Sequence, residues 1–201
     1  MTDRPLNILA IPGSLRKESY NKSLLRAAAE VAPPTVEVTV FEDLDLVPVF
    51  NEDLEQPNRL PEGVTLLHQA VAASDGVIIA TPEYNQSVPG AVKNMIDWLS
   101  RTERGDGLGG RPTAVLGATT GPWGTRIAQT SLRQMLASAG ALVMPQPTMF
   151  VARAASLFDA GGHLVDPKTR DRLAHLVGSF GEWVARIRAP LLVDGIADLA
   201  R

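Results

Sequence analysis

The sequence predicts an α/β protein: a doubly wound parallel sheet with helices on both faces. Short apolar runs alternate along the chain with amphipathic stretches of helical spacing, the pattern of repeated βαβ units. One run, Gly76 to Thr81, is almost continuously apolar, as a strand buried on both faces requires. The 201 residues fit one domain spanning 1–201, and 45% hydrophobic residues supply its core.

The elements follow in order. The first strand reads Leu6 to Ile11, and a turn at Pro12-Gly13-Ser14 ends it. A helix begins near Asn21, with Leu24, Ala28 and Val31 at helical spacing, and Pro33-Pro34 stops it. Val36 to Phe41 forms the second strand, alternating Val36, Val38 and Val40 with Glu37 and Thr39. Glu42 to Pro61 is a long acidic loop, expected near a site or an interface. A helix over Glu62 to Ala73 leads to the third strand, Gly76 to Thr81. The next helix starts near Pro89 and inserts Val92, Met95, Ile96 and Leu99 along one stripe.

Glu103 to Gly110 is Gly-rich and reads as a mobile connection. Pro112 to Ala118 is the fourth strand, and a helix over Thr125 to Ala139 packs Ala128, Leu132, Met135 and Leu136. Ala141 to Met144 is the fifth strand, followed by an irregular stretch including Thr148 to Val151. The last helix runs from Pro167 to Arg188, leaving 189–201 as a C-terminal tail. That tail either packs or meets a second subunit.

Composition narrows the chemistry. The absence of cysteine excludes disulfides, thiolate catalysis, Cys-ligated zinc and iron–sulfur clusters. A net charge of −3 argues against nucleic acid as a partner. No apolar run reaches a membrane span, and no leader precedes the first strand, so a cytoplasmic protein is expected. His68, His163 and His175 are dispersed and form no metal motif. Asp97 and Arg101 lie one turn apart and are expected to pair. The centre of Gly121-Pro122-Trp123 holds no serine, so no nucleophile elbow exists there.

Ligands of open parallel sheets bind beyond the carboxyl ends of the strands, at the point where strand order reverses. Three loops open there. The first, Gly13 to Ser23, combines a tight turn with the hydroxyls of Ser14, Ser19 and Ser23, the fork of Arg16 and a helix start at Asn21. It matches neither the dinucleotide fingerprint nor the P-loop, which favours a monophosphate held mostly by side chains. A polar turn ending in an N-cap is the alternative. The second loop, Pro82-Glu83-Tyr84-Asn85, is stiffened by Pro82 and Pro89 and offers a flat aromatic face. Glu83 serves either a ligand or the loop itself. The third offers Thr119, Thr120 and Gly121, with Trp123 at the border or packed.

Gly13-Ser14-Leu15-Arg16 resembles the phosphate loop of the NADPH-dependent FMN reductase family. Thr81-Pro82-Glu83-Tyr84-Asn85, Ser87-Val88-Pro89-Gly90, Lys93-Asn94 and Asp97-Trp98 resemble its flavin loop and following helix. The resemblance spans about Leu6 to Ala141. It implies a flavodoxin-like fold with strand order 2-1-3-4-5 and FMN at the switch point. It implies that Ser14, Arg16, Asn21 and Ser23 hold the phosphate, with Gly13 at the turn. Pro82, Glu83, Tyr84 and Asn85 would line the ring system, and Thr119, Thr120 and Gly121 its pyrimidine end.

The implied activity is a reductase that takes hydride from NADPH or NADH and passes electrons to a small acceptor such as a quinone, chromate, an azo compound or free flavin. The flavin supplies the chemistry, so no catalytic side chain and no metal is required. A flavodoxin-type carrier and a reductase supplying reduced FMN to a monooxygenase are the alternatives. The resemblance also implies a homodimer or homotetramer. Arg101, Arg104 and Arg126 are the candidates for contacting a nucleotide 2′-phosphate.

Overall fold

A computed structural model describes residues 4–56, 59–101 and 107–188. Its strands are β1 (Leu6–Pro12), β2 (Val36–Val40), β3 (Gly76–Ala80), β4 (Pro112–Ala118), β5 (Leu142–Val143) and β6 (Met149–Val151). Its α-helices are α1 (Tyr20–Glu30), α2 (Glu62–Ala72), α3 (Gly90–Leu99), α4 (Arg126–Ser138) and α5 (Pro167–Arg188). All pairings are parallel, in the order β2-β1-β3-β4-β5, with β6 also on β4.

The sheet therefore has six strands where the sequence suggests about five. The fifth position is split: β5 pairs the start of β4 at Pro112 and Thr113, and β6 pairs its end at Leu116 to Ala118. Pro145 and Pro147 lie between the two pieces and lack the N–H that a ladder needs, which hides the second piece from a pattern reading.

Each face of the sheet is covered. Leu24, Leu25, Leu176 and Phe180 seat α1 and α5 on one side. Leu67, Val71, Met95, Trp98, Leu132 and Leu136 seat α2, α3 and α4 on the other. Burying each such side chain stabilises the fold by about 1.5–3 kcal/mol. β3 is buried at all five residues, as its apolar run predicts. β2 forms an edge and exposes Glu37 and Thr39.

The long acidic loop is strapped to α3. Asn94 accepts from the Phe50 N–H at 2.7 Å and donates to the Pro48 carbonyl at 2.9 Å. The Trp98 indole donates to the same carbonyl at 2.8 Å, and its ring meets Phe50 edge-on. Arg101 bonds both carboxylate oxygens of Glu55, at 2.9 and 2.8 Å. Asp97 pairs instead with Lys93, so the expected Asp97–Arg101 pair is replaced. Arg104 and the first half of the Gly-rich connection, and the 189–201 tail, lie outside the described residues, while Leu108 is buried against α3.

At the amino edge, Asp75 is only 3% exposed and carries paired charges. It accepts from Arg4 at 2.8 and 3.0 Å and from the Asn7 N–H at 2.8 Å, and it meets Arg188. Two chain segments, before β1 and at the end of α5, are tied to β3 by this one carboxylate.

Candidate functional site

Parallel register brings three loops to one edge. Pro12 is level with Ala80, and Ala80 with Leu116. The Gly13 N–H donates to the Ala80 carbonyl at 2.8 Å, and the Thr81 N–H to the Leu116 carbonyl at 2.9 Å. Close packing permits no side chain at two points. A Cβ on Gly13 would collide with Val92, and one on Gly117 with the Thr125 hydroxyl and the Thr81 carbonyl.

The first loop is polar and largely uncommitted. Ser14 is 4% exposed, yet its hydroxyl makes no hydrogen bond among the described residues. Arg16 and Lys17 are exposed and form no ion pair among the described residues. The Ser19 side chain accepts from the Asn21 N–H at 3.2 Å and so caps α1, whose first turn has no acidic residue.

Asn21 has a structural task within the fold. Its amide donates to the Ala118 carbonyl at 3.0 Å and accepts from the Ala118 N–H at 2.9 Å. Each end makes one bond, so this buried side chain stitches α1 to the end of β4. Ser23 sits two residues further on, beneath Gly162, where a Cβ would come 2.9 Å from its hydroxyl. The turn from Asp159 to His163 therefore lies over this part of α1.

In the second loop Pro82 is buried, and Tyr84 pairs with Ser87 as a two-residue hairpin, both bonds 3.0 Å. Asn85 and Gln86 at its tip have φ of 51° and 59°. Two consecutive left-handed non-glycine residues store strain, which concentrates at functional sites. The Tyr84 ring is 48% exposed and its hydroxyl has no hydrogen bond among the described residues. Glu83 braces the loop against α4. One of its carboxylate oxygens accepts from the Ile127 and Ala128 N–H groups at 2.9 and 3.0 Å, at the start of α4.

The third loop is braced from within and from behind. The Thr119 hydroxyl accepts from the Gly121 N–H at 3.2 Å. The Thr119 and Gly121 carbonyls accept from Ala154 and Arg153, at 2.9 and 3.0 Å. Thr120 is exposed and keeps its hydroxyl available. Trp123 is 69% exposed, so it is not packed. Leu15, Tyr84 and Ile127, on the other two loops and the first turn of α4, are exposed apolar side chains as well. Arg126 lies over the Phe150 ring, its guanidinium 4.3 Å from the centroid.

The bracing segment 151–154 is a contribution that sequence reasoning misses. Its signal is the short run Met149-Phe150-Val151, which is the hidden β6. Gln129 is also missed: it lies buried under the third loop and donates to Thr125 and to the Gly124 and Met149 carbonyls. Among the described residues no group of three His, Cys, Asp or Glu converges to hold a metal.

The sheet order and the hydroxyl-rich loops at its switch point define a flavodoxin-like protein. Within that class the chain belongs to the NADPH-dependent FMN reductase family, whose model matches residues 6–156. It is therefore an NAD(P)H-dependent, FMN-linked oxidoreductase that reduces a small molecule. A 2-hydroxy-1,4-benzoquinone reductase from a Burkholderia species is 37% identical over 89% of this chain and 96% of its own. A quinone reductase from Pseudomonas putida is 40% identical over 91% of this chain and 97% of its own. Among solved structures, a flavoenzyme NAD(P)H:acceptor oxidoreductase from Paracoccus denitrificans is 34% identical. It covers 90% of this chain and 98% of its own, with a TM-score of 0.80.

Proposed function

We propose that FMN lies across the carboxyl edge of the sheet and that the acceptor is a quinone. The observation that carries this reading is the unspent polarity of the first loop beside the half-exposed Tyr84 hairpin. The donor set fits the cofactor. Helices α1, α3 and α4 all begin at this edge, but Glu83 already fills the amino end of α4, and the one cation in the first turn of α3, Lys93, is paired with Asp97. α1 has no acidic group in its first turn and stands beside Ser14, Arg16 and Lys17, none of them committed elsewhere. The phosphate therefore belongs at α1.

Ser14 and Arg16 would bond the phosphate oxygens, with the backbone turning at Gly13. Tyr84 and Asn85 on one side, and Thr119, Thr120 and Gly121 on the other, would flank the ring system. Pro82 stiffens the hairpin. Asn21 and Glu83 act behind the ligand, by holding these loops in place. Bound FMN supplies reversible two-electron chemistry between NAD(P)H and the acceptor. The chain's part is to orient, and the exposed apolar side chains of Leu15, Tyr84, Trp123 and Ile127 suit a flat apolar acceptor such as a quinone. The names of the relatives support that acceptor class.

We also place the whole chain in one FMN-binding domain that forms homo-oligomers and works in the cytoplasm. Among the described residues no helix is long and apolar enough to cross a membrane. The test is titration with FMN followed by stopped-flow mixing with NADPH or NADH. Binding and rapid bleaching, reversed by benzoquinone, are expected. A protein that ignores FMN would end this reading. Bleaching that quinones do not reverse would end the acceptor assignment alone.

A further inference from the structure

Helix α4 lacks a cap of its own. Its N-cap residue, Thr125, has φ 60° and ψ 30° and makes no capping bond. The Thr125 hydroxyl is turned inward, against Gly117, and takes a hydrogen bond from the Gln129 amide at 3.0 Å. The orphan N–H groups of Ile127 and Ala128 are the second and third of the helix, the pair a cap residue normally serves. Glu83, 44 residues earlier, bonds both. α1 shows the ordinary arrangement, with Ser19 capping its own helix.

This makes Glu83 a direct side-chain link between the two walls of the crevice. It leaves β3 next to Tyr84, whose hairpin has strained residues at its tip. It ends on α4, directly behind the loop of Thr119 to Gly124. A carboxylate at a helix amino end is also favoured by the helix dipole.

We infer that Glu83 is a positioning residue for the flavin. By capping α4 in trans it sets the spacing between the Tyr84 hairpin and the loop after β4, and hence the width of the cleft that receives the ring. The inference rests on the FMN reading above.

The test compares Glu83→Ala, Glu83→Gln and Glu83→Asp with the wild-type protein. Hydrogen exchange on the apo proteins and FMN titration by fluorescence are the readouts. In Glu83→Ala, exchange at Ile127, Ala128, Tyr84 and Ser87 speeds up. The FMN dissociation constant rises on the order of tenfold, as loss of a charge-assisted pair of bonds implies. The visible band of the bound flavin moves toward that of free FMN. Glu83→Gln keeps an oxygen that accepts both N–H groups and restores tight binding.

Glu83→Ala that frees the α4 amides yet binds FMN as tightly as wild type, with an unchanged band, overturns the proposal and leaves a cap only. Should Glu83→Ala not fold, Glu83→Asp serves. It keeps the charge but is one methylene short, and wild-type FMN affinity in it overturns the proposal equally. Wild-type protein that does not bind FMN overturns the reading beneath it instead.

Discussion

Two polar loops of this chain look alike on paper and behave as opposites. The acidic strap after β2 is rich in charge and amide-bonding groups, and so is the loop after β1. In the strap, the polar groups that face α3 are consumed. Phe50, Pro48 and Glu55 are bound by Asn94, Trp98 and Arg101, and Phe50 also lies 5.6 Å beneath the Arg101 guanidinium. In the loop after β1, Ser14, Arg16 and Lys17 are left uncommitted among the described residues. Polar composition therefore does not mark a site. A donor that the folded chain buries and does not use, as at Ser14, points to one, because burying it without a partner costs free energy.

The largest expected effect falls on the strap. Trp98 is fully buried and anchors it. Trp98→Ala should cost about 3–5 kcal/mol of stability, read as a lower urea midpoint. FMN affinity of the folded protein should not change. A loss of FMN affinity without loss of stability would break the contrast between the loops.

Asn21→Ala should come next. It orphans the buried N–H and carbonyl of Ala118, costing about 2–4 kcal/mol. It should weaken FMN binding as well, since α1 and the end of β4 lose their stitch. Arg16→Ala is the converse of Trp98→Ala: thermal stability should hold. The FMN dissociation constant should rise by on the order of 10- to 100-fold, for about 1.5–3 kcal/mol of lost charged hydrogen bonding. Equal FMN affinity would remove Arg16 from the phosphate site.

The smallest effect concerns the turn lying over Ser23. The His163 N–H, bonded to Asp159 at 2.8 Å, holds that carboxyl below its usual range. Thr169, through its side chain and then its N–H, does the same for Asp166 at the start of α5. Carboxyls lowered in the folded state stabilise it above the unfolded pKa, near 4. That contribution is lost as pH falls through the lowered values. The melting temperature should therefore decline on acidification below about pH 4. Asp159→Asn combined with Asp166→Asn should flatten part of that decline.

The layout of the fold was legible because its signals are periodic. The apolar run of β3 and the stripe of Val92, Met95, Ile96 and Leu99 each state their burial directly. The loops that open at the site were legible too, because they follow strand ends. What their side chains do was less so. Asn21 and Glu83 occupy positions where a ligand contact is expected, yet their partners are Ala118 and the amino end of α4, 97 and 44 residues away. Bonds of that span have no local pattern. The strap shows the same limit: Arg101 finds Glu55 across 46 residues, not Asp97 one turn away.

The interrupted fifth strand has a bearing on how this molecule meets its neighbours. Exposed sheet margins invite a foreign chain to add itself. Here one margin consists of two residues, then three, with Pro145 and Pro147 in the gap. A guest strand would find no ladder long enough to zip onto. Association along that side must therefore proceed through side chains, and runaway stacking into fibres is discouraged at its source.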